Sequence, residues 1–175
     1  MRIVFIGGPG SGKSTVGNRL ASDLKWPWIS SGEILRESKE PWVVEKLKTA
    51  QLFDDEMVSG LVLSRLSTEP NAILDGFPRT FKQADIMYTR GEKIDIVVEM
   101  QVPIEEVQQR LVLRGRDQDS KDIIEERYAM YEQSKNEILA YLIGNGAKLL
   151  TIDGVGTQDE VYQRVVKGIQ EVIKK

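Results

Sequence analysis

The chain has 175 residues, enough for one domain whose core buries about two-thirds of the unfolded surface, so a single function is expected. Its 24 basic and 27 acidic residues leave a net charge of -3, which argues against a broad nucleic-acid footprint. Cysteine and histidine are both absent, which excludes disulfides, thiolate metal sites and imidazole chemistry; catalysis must run on Lys, Arg, Asp, Glu, Ser or Thr.

The opening "MRIVFIG" has too short an apolar run for a signal peptide, and no stretch approaches the roughly 20 apolar residues of a membrane span. A soluble, cytoplasmic protein is expected. Short apolar runs alternate with longer amphipathic stretches, the signature of βαβ units around a parallel sheet. Five strands are expected, over 2–6, 28–30, 72–75, 94–100 and 148–152. The continuous hydrophobicity of "IVFI" and "IVVEM" suits strands covered on both faces. Pro41 and Pro103 punctuate helix starts in the way first-turn prolines do. In the last helix Val161, Val165, Ile169 and Val172 recur at three- to four-residue spacing behind the capping box Thr157 to Glu160.

The first strand runs into "GGPGSGKST", where Gly7, Gly12, Lys13 and Ser14 fit G-x-x-x-x-G-K-[ST] with a helical pattern behind them. The candidate triphosphate cradle is Gly8, Pro9, Gly10, Ser11, Gly12, Lys13, Ser14 and Thr15. Its glycines let backbone N–H groups turn toward phosphate, the helix N-terminus adds partial positive charge, and Lys13 reaches the outer phosphates. Ser14 is the candidate magnesium ligand. A glycine-rich turn with a capping serine is the plainer reading of these residues. The motif alone leaves GTPases, ATPases and small-molecule kinases open.

"ILDGFPRT" ends the third strand with Asp75, the expected outer partner of magnesium, directly or through water; a turn aspartate before glycine is the alternative. Arg79 follows at the carboxyl edge of the sheet, where open α/β folds bind ligands. Further along, "RLVLRGR" carries Arg110 and Arg114 four residues apart, on one helix face, with Arg116 and Arg127 beyond. A solvated helix partnered by Asp122, Glu125 and Glu126 is the alternative for these arginines, stronger for Arg116 than for Arg127.

Taken together, "GGPGSGKST", "SSGEILR", "DGFPRT" followed by Gln83, "VP" with "RLVLRGR", and Arg127 cover almost the whole chain in order. On these motifs it resembles the nucleoside monophosphate kinases, and the adenylate kinase family most closely. The resemblance implies an α/β, three-layer P-loop NTPase fold with a five-stranded parallel sheet flanked by helices. It also implies one domain over 1–175, a monophosphate-binding arm over 31–60 and a minimal lid over 114–127. The implied reaction is magnesium-dependent, reversible phosphoryl transfer from ATP to AMP, giving two ADP, by a monomer that needs no zinc and engages neither nucleic acid nor membrane.

The same resemblance places Ser31, Leu52, Phe53, Gly76 and Gln83 around the acceptor, with Gln83 reading its base. Arg36 and Arg79 grip the acceptor phosphate, two forks suited to bidentate binding of a dianion. Ser30 and Glu33 also read as a capping box, which leaves a structural role open for Ser31. Arg110 packs on the donor nucleotide, while Arg114, Arg116 and Arg127 face the transferring phosphoryl group. Adenylate kinases usually carry threonine where this chain has Ser31, so a UMP or CMP kinase remains the alternative acceptor reading. A nucleotide-binding module without catalysis is the alternative from another class. Only Gly115 separates Arg114 from Arg116, an unusually small lid. Trp26, Trp28 and Trp42 lie in or near the arm, where their fluorescence would report its closure; a plain core or surface role is the alternative for each.

Overall fold

The structure, a computed structural model, describes residues 1–49, 51–114 and 120–174, without the side chains of Val112 and Arg114. Strands β1 (Arg2–Ile6), β2 (Trp28–Ser30), β3 (Ala72–Asp75), β4 (Ile96–Gln101) and β5 (Lys148–Asp153) form a parallel sheet in the order β2-β3-β1-β4-β5. The helices are α1 (Lys13–Leu24), α2 (Ser31–Glu37), α3 (Pro41–Leu47), α4 (Asp55–Leu66), α5 (Phe81–Thr89), α6 (Ile104–Arg114), α7 (Lys121–Gly144) and α8 (Gln158–Lys174). Layers of helix, sheet and helix result, as the motifs imply.

Strand alternation divides the core. On one face Val4, Ile6, Leu74 and Val97 meet Val62 and Leu66 of α4, Met87 of α5, and Ile138 and Leu142 of α7. On the other, Ile3, Phe5, Ile73 and Val98 meet Val16 and Leu20 of α1, and Val161, Val165 and Ile169 of α8. Each such aliphatic side chain contributes about 1.5–3 kcal/mol by leaving water, so the sheet is held from both sides. A smaller cluster of Val102, Val107, Leu111 and Ile124, backed by Tyr128, fastens α6 to α7.

The expected strands form with small shifts. β4 starts at Ile96 because Ile94 donates its N–H to the Tyr88 hydroxyl at 3.4 Å instead of entering the ladder. β5 extends one residue further, to Asp153. The capping box of α8 is complete: Thr157 N donates to Glu160 Oε2 at 2.8 Å and Glu160 N to Thr157 Oγ at 3.3 Å. The one at α2 is half made. Glu33 N donates to Ser30 Oγ at 3.4 Å, but the Glu33 carboxylate accepts from Trp28 Nε1 at 3.1 Å. Pro41 opens α3, whereas Pro103 stands just before α6 and accepts from Val107 N at 3.1 Å.

The end assigned to the arm, residue 60, falls in the middle of α4, whose second half is core. Of the lid, the end of α6 and the start of α7 are described, and residues 115–119, Arg116 included, lie outside the described residues. Among the described residues no helix is long and apolar enough to cross a membrane.

Candidate active site

The carboxyl ends of β1, β2 and β3 share one edge because all three run parallel, with Phe5 and Ser30 both in register with Asp75. The loop leaving β1 closes on itself through Ser11 Oγ, which donates to the Gly8 carbonyl at 2.8 Å. Gly12 caps α1 at φ 87°, a conformation that favours glycine and turns the loop into the helix. Lys13 folds across the loop, donating to the carbonyls of Gly7 and Gly8, both at 2.7 Å, and to Ser11 Oγ at 3.2 Å. Its ammonium therefore sits at the loop's concave side. Tyr128 and Tyr131 of α7 back Gly8. Burial, with the Glu99 charge next, pushes the Tyr131 phenol well up, so it stays neutral beside the phosphate loop.

Ser14 Oγ donates to Asp75 Oδ2 at 2.6 Å. This joins the first residues of α1 to the end of β3 and sets a hydroxyl beside a carboxylate, the hard-oxygen pair that suits magnesium. Among the described residues no three acidic, histidine or cysteine side chains gather into a cage. One carboxylate and one hydroxyl fit an ion that keeps waters and takes its remaining ligands from phosphate.

Past Asp75 the chain turns at Gly76, at φ 68°. The conformation favours glycine, and a Cβ there would stand 2.7 Å from Arg79 Nη2 and 3.0 Å from Ser31 Oγ, so it would displace the Arg79 fork. The Gly76 carbonyl accepts from Ser31 Oγ at 2.5 Å and from Arg79 Nε at 2.8 Å. Arg79 N in turn donates to Gln83 Oε1 at 2.8 Å. Ser31, Gly76, Arg79 and Gln83 are thus one hydrogen-bonded unit, reached through Asp75 from the phosphate loop.

Other residues singled out in the sequence sit around this unit. Arg36 is exposed, its guanidinium folded back over Gly32, and has no hydrogen bond or ion pair among the described residues. Leu52 and Phe53 are half-buried between α3 and α4; Phe53 lies 6.0 Å from Trp42 with the two rings tilted, and under Lys46. Arg110 lies beside Gly12, donating to Glu106 at 2.8 Å and to the Gly154 carbonyl at 3.0 Å, so α6 and the loop after β5 flank the triphosphate cradle. Arg127 reaches the end of α3, donating to the carbonyls of Leu47 at 3.1 Å and Thr49 at 2.7 Å. Arg114 ends α6, and where its side chain goes lies outside the described residues.

A family model described as adenylate kinase matches residues 5–146. The chain belongs to the adenylate kinase family. It is similar to an adenylate kinase of Mycobacteroides abscessus, 38% identical over 97% of this chain and 99% of the relative. It is also similar to one of Mycobacterium tuberculosis, 36% identical over 97% and 99%, and one of Maricaulis maris, 33% identical over 98% and 100%. As a member of the adenylate kinase family it is a phosphotransferase of the nucleoside monophosphate kinase class.

For an adenylate kinase site, sequence reasoning missed one participant. Asp55 Oδ1 accepts from Gln83 Nε2 at 3.0 Å and from Thr80 Oγ at 2.9 Å. The available signal was the doubled acid of "FDDE": Asp54 caps α4 by accepting from Met57 N, which leaves Asp55 free to face outward from the helix toward α5.

Proposed function

We propose that the chain transfers the terminal phosphoryl group of ATP to AMP, reversibly and with magnesium, giving two ADP. One observation carries this reading: the hydrogen-bonded run from the Lys13 loop through Ser14 and Asp75 to Gly76, Ser31, Arg79 and Gln83. It joins a triphosphate cradle to an arginine and an amide suited to a second nucleotide. Gly8, Pro9, Gly10, Ser11, Gly12 and Thr15 surround the donor phosphates, with Arg110 at the donor's flank. Arg36 and Arg79 hold the acceptor phosphate, and Leu52, Phe53 and Ser31 line its base.

The acceptor phosphate has a second pKa of about 6 and is largely a dianion at neutral pH, so it attacks without a general base. Its oxygen forms the new P–O bond as the bond to the donor's β–γ bridging oxygen breaks and ADP leaves. Ser14 and Asp75 would hold magnesium, which when bound neutralises phosphate charge. Lys13 and the arginines align the two phosphates and meet the charge that spreads over the transferring group. We assign Arg114, Arg116 and Arg127 to that second task, within a lid over 114–127, and the acceptor to an arm over 31–60. The protein acts as a cytoplasmic monomer whose partners are ATP, AMP and ADP, without nucleic acid, membrane or zinc.

Turnover of ATP with magnesium and, separately, AMP, UMP, CMP or GMP tests this, with ADP and free phosphate both counted. AMP should dominate. A pyrimidine nucleotide ahead of AMP would make the chain a UMP or CMP kinase, and no turnover with any acceptor would make it a nucleotide-binding module.

A further inference from the structure

We propose that Asp55 is a positioning residue that sets the base preference of the acceptor site by fixing which way round the Gln83 amide stands. A glutamine amide offers an oxygen that accepts and a nitrogen that donates, and a half-turn exchanges them. Gln83 is buried, with both ends engaged. Arg79 N–H can only donate, so it faces Oε1 at 2.8 Å; the Asp55 carboxylate can only accept, so it faces Nε2 at 3.0 Å. The two contacts lock the same orientation from opposite ends. One N–H and one oxygen lone pair of the amide then remain, in a defined order, for a ligand.

Asp55 is well placed for this task. It is the first residue of α4, where the helix terminus favours a carboxylate, and it faces the start of α5. The same Oδ1 accepts from Thr80 Oγ at 2.9 Å, and Thr80 Oγ accepts from Gln83 N at 3.1 Å as the cap of α5. Backbone and side chain of Gln83 are therefore held from one point, by an acid 28 positions away. Removing it leaves the Arg79 N–H as the single contact that opposes the flip, and the flipped amide, which reverses the donor–acceptor order, becomes less costly.

This rests on the reading of Gln83 as the side chain that meets the acceptor base. Its probe is a pair of monophosphates of one shape and opposite hydrogen-bonding order: AMP, whose base edge donates at the exocyclic nitrogen and accepts at the neighbouring ring nitrogen, and IMP, which accepts at the exocyclic oxygen and donates from that ring nitrogen. The quantity read is the ratio of kcat/KM for AMP over IMP, alongside the melting temperature. Asp55→Ala should lower the ratio about tenfold, mostly through KM for AMP. Asp55→Asn keeps an oxygen that can accept from both donors and should restore most of it. Asp55→Ser suits a helix start but is too short to reach Gln83, and takes the place of the alanine variant should that not fold.

A role in stability alone would lower the melting temperature of Asp55→Ala and leave the ratio unmoved, which overturns the proposal. Gln83→Ala separates the two layers. If it collapses the ratio while the Asp55 variants do not, Asp55 is dismissed and the base reader stands; if it leaves the ratio intact, both are wrong.

Discussion

Arg79 ties its Nε to the Gly76 carbonyl at 2.8 Å, and Nη2 lies over Gly76, so the fork is held at the turn. A lysine can supply one point charge at this place but cannot hold the turn and bind a phosphate bidentately at once. Arg79→Lys should therefore lower kcat/KM for AMP by about 10- to 100-fold, the equivalent of one charge-assisted hydrogen bond. Steady-state rates with AMP varied at saturating ATP check this, and a loss under threefold contradicts it. Ser31 shows what one residue does not reveal by itself. Its type points to a hydroxyl near the base or a helix cap; its hydroxyl donates to Gly76, and the cap is its neighbour Ser30.

At the scale of elements, helix ends offer two tests. α1 stops at Lys25, whose φ of 55° turns the chain so that the following Trp26 N–H donates back to the Ala21 carbonyl at 2.9 Å, while Lys25 N itself donates to the Ser22 carbonyl at 3.2 Å. A side chain costs about 1–2 kcal/mol in that conformation, partly offset by the lower unfolded-state entropy relative to glycine. Lys25→Gly should accordingly stabilise the protein by about 0.5–1 kcal/mol, and chemical denaturation measures it. An unchanged or lower midpoint would show that Lys25 contributes something its backbone does not account for.

At α8, hydrogen bonds first from the Thr157 backbone N–H and then from its hydroxyl hold Glu160 below the usual carboxylate range. A lowered folded pKa means the stabilisation is complete above the unfolded value of about 4.3 and is lost as pH falls through the folded one. The melting temperature of Glu160→Gln should lie below that of the parent at pH 7, and the gap should narrow as pH falls below about 4.3 and on through the lowered folded value. A gap that persists in acid would place the effect elsewhere.

For the whole molecule, the proposed lid falls on the connection from α6 to α7. Only residues 115–120 separate Arg114 from Lys121. Closing lids both assemble the charged groups and exclude water, so a connection this short should leave the donor phosphate more open to hydrolysis. ATP should leak to ADP and free phosphate when no acceptor is present. Free phosphate released at less than about a thousandth of the transfer rate would mean that α6 and α7 seal the site unaided.

The sequence by itself determined the strands, most helix starts and the phosphate loop. Apolar spacing, proline, glycine and capping residues act within a few positions, and a loop that must cradle phosphates leaves little freedom in its residues. It also held the motifs whose resemblance names the family. The tertiary structure decided which polar groups meet. Ser31 finds Gly76 across 45 positions, Gln83 finds Asp55 across 28, and Arg127 finds Leu47 and Thr49 across 80 and 78. Such pairs depend on the crossover connections that bring the ends of parallel strands to one edge, and no local pattern records which neighbour a side chain acquires there.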